Sequence, residues 1–212
     1  MAELDFTNPQ PKYFIRELER LSDGSKSARE MFRDFCHMAY CAYAKVVALA
    51  HLDNERADEL EARYMQIVNS YRNKDIVRGY PKLLGYAQVG VEQGLDFLGH
   101  VAAELSALDA KQGQFFTPMP VCKMMVEMVL GDEQSLTNEL DELGGYLTFG
   151  EPCAGSGAIV IAATEHFRQN GHDPMTSLLV YAADLNQLAF HMCYLQMTWA
   201  GTPGFVAHEN SL

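Results

Sequence analysis

The chain has 212 residues, of which 48% are apolar and 21% charged, and its 28 acidic and 16 basic residues give a formal net charge of −12. At roughly 100–200 residues per domain this length allows one large domain or two small ones, and the composition excludes a disordered or collagen-like chain. The acidic balance argues against an autonomous nucleic-acid binder, which would carry a basic surface, and leaves open a protein that works with a basic partner.

Charge and sequence texture both change near the middle of the chain. Residues 1–111 carry 14 Lys/Arg and 17 Asp/Glu, a net charge of −3, whereas residues 112–212 carry 2 and 11, a net charge of −9. The first part has helical periodicity, and the second alternates short β-type runs with helical stretches. We therefore place a boundary near 107–112 and predict a helical domain over 1–108 and a second domain over 109–212.

Cysteine usage and apolar runs bear on the compartment. The five cysteines include no Cys-x-x-Cys pair, which indicates a reducing compartment and neither a disulfide framework nor a zinc site. The N-terminal sequence lacks the basic-then-apolar pattern of a signal peptide, and no apolar run is long enough to span a bilayer. We expect a soluble, cytoplasmic protein without a membrane segment or a metal.

The first half of the chain opens with two predicted helices. A short amphipathic helix covers 13–21, and a long one covers 28–51. Ser27 and Glu30 have the spacing of a capping box, in which the serine oxygen and the glutamate carboxylate satisfy free N–H groups at the helix start. The apolar residues predicted to share one buried face of the long helix are Met31, Phe35, Met38, Ala42, Val46 and Leu49.

Two further helices complete the predicted helical domain. Asp53 is placed to cap a helix over 55–71. Residues 69–81 read as a loop because they contain glycine and proline. A final helix covers 83–108, and its four glycines predict close helix contacts or breaks, since each costs about 1 kcal/mol against alanine.

The second half begins with another predicted helix. Thr117 is a good N-cap, and Pro118 stands where proline is favoured at the first helical position. The helix carries the apolar residues Val121, Met124, Met125, Met128 and Val129. Its methionines, with Met119, are predicted to lie in the core, and the alternative is an adaptable surface for a partner. Residues 131–145 form an acidic loop or a short helix.

Strands and helices then alternate. Strands are predicted over 146–149, over 178–183 with Asp184 at the end, and over 205–207. Helices over 158–169 and 187–200 connect them. This order predicts right-handed crossovers and a parallel sheet, and therefore an α/β fold in the second domain.

The most informative segment follows the first of these strands and reads Gly150-Glu-Pro-Cys-Ala-Gly-Ser-Gly157. A Gly-x-Gly turn at a helix start exposes backbone N–H groups to a ligand. The dinucleotide fingerprint needs a third glycine where Val160 stands, and the phosphate loop needs Gly-Lys-Ser/Thr, so neither motif is present. Pyrophosphate is therefore a poor ligand for this segment.

Two acidic residues near the turn indicate a different ligand. Glu151 precedes the turn and favours a ligand with a cationic portion. Asp184, 33 residues later, ends the next strand, where a carboxylate accepts hydrogen bonds from ribose hydroxyls. Together they describe a pocket for S-adenosylmethionine, a nucleoside with a sulfonium and an amino-acid tail. The other reading is a glycine-rich turn and helix cap of the kind found in any α/β domain.

A second segment, Gln112-Gly-Gln-Phe-Phe-Thr-Pro118, precedes the predicted helix. Its adjacent residues Phe115 and Phe116 are suited to form an apolar wall for an adenine ring. Taken by itself, the pair is better explained as two core phenylalanines that anchor a loop.

These segments together resemble a known family. The chain is similar over 95–212 to the N6-adenine DNA methyltransferases with a helical N-terminal domain, and in particular to the modification subunit of type I restriction systems. The motifs that carry the resemblance are Leu95-Asp-Phe-Leu-Gly-His100, Lys111-Gln-Gly-Gln-Phe-Phe-Thr-Pro118, Glu151-Pro-Cys-Ala-Gly-Ser-Gly-Ala158 and Ala183-Asp-Leu-Asn186.

The resemblance implies a Rossmann-like fold, S-adenosylmethionine as cofactor and a role for each matching residue. Asp184 would bind the ribose, with Leu185 beside the adenine, which Asn210 would also approach. The residues implied to line the adenine and methionine ends are Gln114, Phe115, Phe116, Thr117 and Pro118. Those implied for the cofactor loop are Glu151, Pro152, Gly155, Ser156, Gly157 and Ala158.

One family element is missing from these 212 residues. The family's catalytic tetrapeptide, Asn/Asp-Pro-Pro-aromatic, follows the fourth strand and holds the flipped adenine. Three explanations stay open: a fragment of a longer enzyme, a site completed by a partner chain, or a shortened relative that has lost catalysis.

The expected function is S-adenosylmethionine-dependent methylation of adenine N6 in DNA within a restriction-modification system. The expected partners are DNA and a specificity subunit or second methyltransferase subunit, with no membrane contact. The alternatives are a catalytically incomplete regulatory protein that binds the cofactor and, with less support, an acidic mimic of DNA.

Overall fold

Five helices make up the first part of the molecule. The computed structural model describes residues 4–106 and 117–210. The helices in the first of these ranges are α1 (Pro11–Leu21), α2 (Ala28–Ala50), α3 (Asn54–Ser70), α4 (Lys74–Glu92) and α5 (Phe97–Glu104).

Two predicted helix starts are confirmed by their capping hydrogen bonds. The Glu30 N–H donates to Ser27 Oγ at 3.2 Å, and the Ser27 N–H donates to Glu30 Oε2 at 2.8 Å, which completes the capping box of α2. The Arg56 N–H donates to Asp53 Oδ1 at 3.0 Å at the start of α3. These starts were predictable because a cap depends on residues two or three positions apart.

The predicted buried face of α2 is correct only in its first half. Met31, Phe35 and Met38 are buried, but Ala42, Val46 and Leu49 are exposed. The first half of α2 packs in the main core, whereas beyond Cys41 the buried residue of the helix is Ala48, which packs in a small cluster with α3. Apolar periodicity identified the helix but not the point where the core ends.

The predicted loop over 69–81 is wrong, because α4 begins at Lys74 and runs through both Gly79 and Pro81. Pro81 has no N–H and loses one helical hydrogen bond. Burial of the neighbouring Tyr80 and Leu83 compensates for that loss. At Gly79 a Cβ atom would stand 2.6 Å from the Leu21 side chain, so the glycine permits close packing of α4 on α1.

The predicted helix over 83–108 is broken into the end of α4 and α5. The break occurs at Gly94, whose φ of +78° is a left-handed conformation that favours glycine. Asp96 then caps α5 by accepting a hydrogen bond from the Gly99 N–H at 3.1 Å. The interruption that the glycines predicted is therefore at Gly94, while residues 107 and 108 lie outside the described ranges.

The second part of the molecule contains a small parallel sheet among helices. Strand order is β1-β2-β3, and both pairings are parallel, as predicted. The described residues form ten helices and three strands, so the molecule is mostly helical. The remaining elements are α6 (Met119–Leu130), α7 (Glu133–Glu142), β1 (Leu147–Glu151), α8 (Ala158–Gln169), α9 (Pro174–Ser177), β2 (Leu178–Asp184), α10 (Gln187–Trp199) and β3 (Gly204–His208).

The start of α6 differs from the prediction. Pro118, rather than Thr117, is the N-cap residue, and no side chain caps the helix. Pro120 supplies the proline of the first turn, where its missing N–H costs no helical hydrogen bond.

The predicted burial of the α6 methionines is also largely wrong. Cys122, Val126 and Leu130 are the buried residues, and they pack toward the sheet and α8. Of the methionines predicted to be core, Met119 packs against both large apolar clusters, whereas Met124, Met125 and Met128 are 43% to 78% exposed. Val121 and Val129 are exposed as well. The helix has two apolar stripes of helical spacing, so periodicity alone does not tell which one is buried.

The largest apolar cluster joins both parts of the chain. Phe14 of α1 contacts Phe35 and Phe97 edge to face, with ring centroids 5.2 and 5.8 Å apart. Leu195 and Trp199 of α10 belong to the same cluster. The predicted boundary at 107–112 lies outside the described residues, and the segments on either side of it share this core. No helix in the described ranges is both long and apolar enough to cross a membrane.

A buried histidine stack lies where α2 meets α10. The His191 ring stacks on His37 and Tyr40, with centroids 4.5 and 4.7 Å apart. Burial, together with the electrostatic influence of His37, His208 and Arg63, lowers the pKa of His191 to about 3. His191 is therefore neutral in the folded protein at ordinary pH.

The first prediction concerns acid sensitivity. The unfolded chain takes up a proton at His191 near pH 6.5, whereas the folded chain does not do so until about pH 3. The free energy of unfolding is therefore highest above pH 6.5 and decreases as the pH falls from 6.5 to 3. Urea unfolding at pH 7.5 and 5.5 should show a loss of about 1 kcal/mol from this residue. His191→Phe should remove that part of the pH dependence, and an unchanged dependence in the variant would contradict the assignment.

Candidate functional site

The glycine segment turns sharply between β1 and α8. Gly155 and Gly157 have φ values of +56° and +93°, and Gly157 is the N-cap residue of α8. The Ala154 N–H donates to the Ala183 carbonyl at 2.9 Å, which fixes the turn to the end of β2. Glu151 bends back over the segment, because its Oε1 accepts the Cys153 N–H at 2.9 Å.

Asp184 joins the end of β2 to the same turn. Its Oδ2 accepts the Gly155 N–H and its Oδ1 accepts the Asn186 N–H, both at 2.8 Å. The residue is only 8% exposed. Each carboxylate oxygen keeps one further lone pair, so Asp184 can hold the loop and still accept a hydrogen bond from a ligand.

A cavity of about 200 Å³ lies between the N-terminal end of α6 and the glycine segment. Five residues predicted from the sequence meet in its wall: Thr117, Glu151, Gly155, Ser156 and Ala158. Sequence reasoning missed the other lining residues, Cys122, Met125, Cys153, Ala154 and Ile159. Position in the motifs was the available signal. Cys122 and Met125 lie three residues apart in the helix that follows Thr117, and the other three stand within or beside the glycine segment.

The remaining predicted site residues are less closely gathered. Asp184 reaches the cavity wall through its hydrogen bond to Gly155, and Leu185 beside it is 66% exposed. Pro118 is exposed at the start of α6. Pro152 and Gly157 lie within the turn, and Asn210 follows β3. Gln114, Phe115 and Phe116 lie outside the described residues.

The charges around the glycine segment are negative. Burial raises the pKa of the Cys193 thiol to about 12, and the carboxylates of Asp184, Asp96 and Glu151 contribute to that rise. None of the described residues in the cavity wall is Lys or Arg. The cavity is therefore suited to a ligand portion with positive charge and unsuited to a phosphate.

Of the two cysteines in the cavity wall, the buried one, Cys122, is not suited to nucleophilic chemistry. Burial raises the pKa of Cys122, and the negative charges of Asp96 and Glu151 act in the same direction. A protonated thiol is a weak nucleophile, so Cys122 acts as an apolar wall residue. Within the described ranges, no group of three or more His, Cys, Asp or Glu side chains is arranged to hold a metal ion.

A larger cavity of about 310 Å³ lies between α6 and α8. Charged and polar side chains dominate its wall, including Glu127, Asp132 and Glu165, and it does not touch the glycine segment. It has neither the N–H groups of the turn nor the strand-end carboxylate, so the smaller cavity is the better candidate site.

Comparison with known proteins assigns the chain to a class. The family model described as N-6 DNA Methylase matches residues 97–211, which is more than half of the chain. The chain therefore belongs to the N-6 DNA methylase family, as the sequence resemblance predicted. A search of curated proteins found no match.

One solved structure similar to this chain is the methyltransferase subunit of a type I restriction-modification system from Streptococcus thermophilus. The sequence identity is 15% and the TM-score is 0.40. The match covers 95% of this chain and 57% of that subunit. This chain thus spans little more than half the length of the subunit.

The second prediction tests the turn at the head of α8. In Gly157→Ala the new Cβ would meet Cys193 Sγ at 3.2 Å and Cα at 3.3 Å, in a left-handed conformation. We expect urea unfolding to show a loss of about 2 kcal/mol from conformational strain plus crowding. Gly144→Ala is the control, because its φ of +80° is similar but its Cβ would meet nothing within 4 Å. Equal losses in both variants would show that close packing at Gly157 is unimportant.

Proposed function

We propose that this chain binds S-adenosylmethionine at the glycine segment and serves as a component of a DNA adenine-N6 methyltransferase in a modification system. The observation that carries the proposal is the joint placement of the Gly155–Gly157 turn and Asp184 at the carboxyl ends of adjacent parallel strands. Ligands of open α/β sheets bind at that edge. Membership of the N-6 DNA methylase family supports the same function.

The proposed domain organisation follows from this function. The three parallel strands would be the first strands of a Rossmann-like, doubly wound methyltransferase sheet, with the cofactor domain over 109–212. The helical domain over 1–108 would pack against it through the apolar cluster that includes α10.

The residues present fit the chemistry of this cofactor. Glu151 would supply negative charge toward the sulfonium and amino group. The N–H groups of Gly155 and Gly157 are bonded to Asp184 and to the Ala154 carbonyl, so the donors that the turn offers to a ligand are the N–H groups of Ser156 and Ala158. Asp184 would accept from the ribose hydroxyls with its free lone pairs. The cavity of about 200 Å³ is smaller than the roughly 300 Å³ of a small-molecule pocket, so the nucleoside would extend along the sheet edge toward Leu185.

The motif ahead of α6 completes the proposed assignment. Thr117 lines the cavity, and Pro118 stands beside it. The family resemblance assigns the same role to Gln114, Phe115 and Phe116, and it assigns Pro152 and Asn210 to the loop and the adenine. These assignments are hypotheses that mutagenesis can test one residue at a time.

The reaction proposed for the assembled enzyme is a direct transfer. Glu151, the Gly155–Gly157 turn and Asp184 would hold the cofactor, which would supply an electrophilic methyl group to the adenine amino nitrogen. In the family the Asn/Asp-Pro-Pro-aromatic tetrapeptide holds the flipped base, and residues 1–212 do not include it. The role proposed for this chain is therefore to hold and orient the cofactor.

Contact with DNA is proposed to come from elsewhere in the assembly. Residues 112–212 carry a net charge of −9, which repels a phosphate backbone. A specificity subunit or second methyltransferase subunit would supply the basic surface, and the assembly would act in the cytoplasm. A catalytically incomplete regulatory protein that binds the cofactor is the second candidate, and the same acidic charge favours it.

The third prediction tests the cofactor claim. Isothermal titration calorimetry should show saturable binding of S-adenosylmethionine to the 212-residue protein. Glu151→Gln should weaken binding about fivefold to tenfold, because it removes the carboxylate nearest the cationic end. Glu139→Gln, an exposed change on α7, is the control and should leave binding unchanged. Absence of heat at millimolar cofactor with folded protein would refute the proposal.

The fourth prediction separates the two candidate functions. The 212-residue protein alone should transfer no radiolabelled methyl group to adenine in duplex DNA, because no residue is present to hold the target base. Transfer should appear when a subunit carrying the tetrapeptide is added, and transfer by the chain alone would contradict the division of labour. Cofactor binding without transfer in any assembly would favour the regulatory protein.

A further inference from the structure

A buried carboxylate lies directly behind the glycine segment. Asp96 is 4% exposed and stands at the start of α5, in the helical part of the molecule. One of its oxygens, Oδ1, accepts the Gly99 N–H at 3.1 Å and thereby caps α5. A Cβ atom at position 99 would stand 2.1 Å from Asp96 Oδ2, so this arrangement requires glycine there.

The second oxygen of Asp96 serves the candidate cofactor segment. The Ser156 hydroxyl donates to Asp96 Oδ2 at 2.9 Å, and Ser156 is itself buried. This contact joins positions 60 residues apart. The bond to Ser156 is separate from the cap of α5, because the cap uses only Asp96 Oδ1.

Gln196 of α10 closes the network around Ser156. Its Nε2 donates both to Asp96 Oδ1 at 2.8 Å and to the Ser156 carbonyl at 2.7 Å. Its Oε1 accepts the Leu98 N–H at 3.0 Å, and the side chain is fully buried. Ser156 is thus held by its side chain and by its backbone, from two different elements.

This network has a cost that capping alone does not explain. No ion pair among the described residues includes Asp96, so its charge is balanced by hydrogen-bond donors. Burying a carboxylate without a cation is unfavourable, and a serine or asparagine would cap α5 as well. The carboxylate adds a second acceptor that reaches Ser156.

We propose that Asp96 is a positioning residue for cofactor binding: with Gln196 it fixes Ser156, and through Ser156 it holds the left-handed turn at Gly155 and Gly157 in its ligand-binding shape. The inference rests on the proposed function of the glycine segment. It assigns the helical part of the chain a role in cofactor affinity through a residue that does not line the cavity.

The test uses Asp96→Asn, which keeps the side-chain volume and one acceptor oxygen for the α5 cap. Thr202→Val is the matched control. The Thr202 hydroxyl makes a buried hydrogen bond of 2.6 Å with Thr164 Oγ1, and neither residue belongs to the glycine segment. Three quantities are measured for each: stability in urea, hydrogen exchange of residues 153–158 without ligand, and the Kd for S-adenosylmethionine. Stability alone cannot separate the variants, because Thr202→Val loses a buried hydrogen bond and Asp96→Asn replaces the acceptor of the Ser156 hydroxyl by an amide donor, which forces that hydroxyl to rotate or lose its partner.

We expect both variants to be less stable than the wild type. Only Asp96→Asn should change the hydrogen exchange of the glycine segment and the affinity for the cofactor. Exchange of residues 153–158 should rise about tenfold, and the Kd should rise at least fivefold beyond that of Thr202→Val. If Asp96→Asn does not fold, Ser156→Ala replaces it, because that change leaves the hydrogen bonds of Asp96 to Gly99 and Gln196 in place. The hydrogen exchange of residues 153–158 in Ser156→Ala then tests the positioning role.

The outcomes separate this inference from the proposed function. Cofactor binding by the wild type, with exchange and Kd in Asp96→Asn equal to those of Thr202→Val, overturns the positioning role and leaves the function. Faster hydrogen exchange of residues 153–158 in Asp96→Asn, with no cofactor binding by folded wild type, overturns the proposed function. It would still support the conclusion that Asp96 fixes the conformation of the glycine segment.

Discussion

The pairing of β1 with β2 is the constraint on which the candidate site depends. Parallel pairing brings the ends of both strands to one edge, with Glu151 opposite Ala182. Asp184, two residues further along β2, then reaches the turn after β1 and accepts the Gly155 N–H. Without this register, the acidic strand end and the glycine turn would be separate features of the sequence.

The core extends this constraint into the helical part of the chain. Residues of α10 pack in the same apolar cluster as Phe14 and Phe97, and Gln196 on that helix is hydrogen-bonded to the backbone of both Leu98 and Ser156. The glycine turn is therefore supported from behind by α5 and α10. A rigid support of this kind reduces the entropy that a loop loses when it orders around a ligand.

The features that the sequence predicted are local ones. The caps at Ser27 and Asp53, the alternation of strands and helices along the chain, and the glycine turn all depend on residues a few positions apart. The buried stripe of α6 and the helix across Pro81 were missed because tertiary packing decides them. The Asp96 network was missed because its bonds to Ser156 and Gln196 join residues 60 and 100 positions apart, and no motif reports that contact. The cofactor assignments themselves stay predictions.

Hydrogen exchange of the protein with and without saturating S-adenosylmethionine reports where the ligand binds. If the cofactor binds at the glycine segment, exchange slows in residues 150–158 and 183–186 and does not change around the α6–α8 cavity at 131–134. Protection confined to that other cavity, or no protection in either segment by folded protein, would contradict this placement of the cofactor.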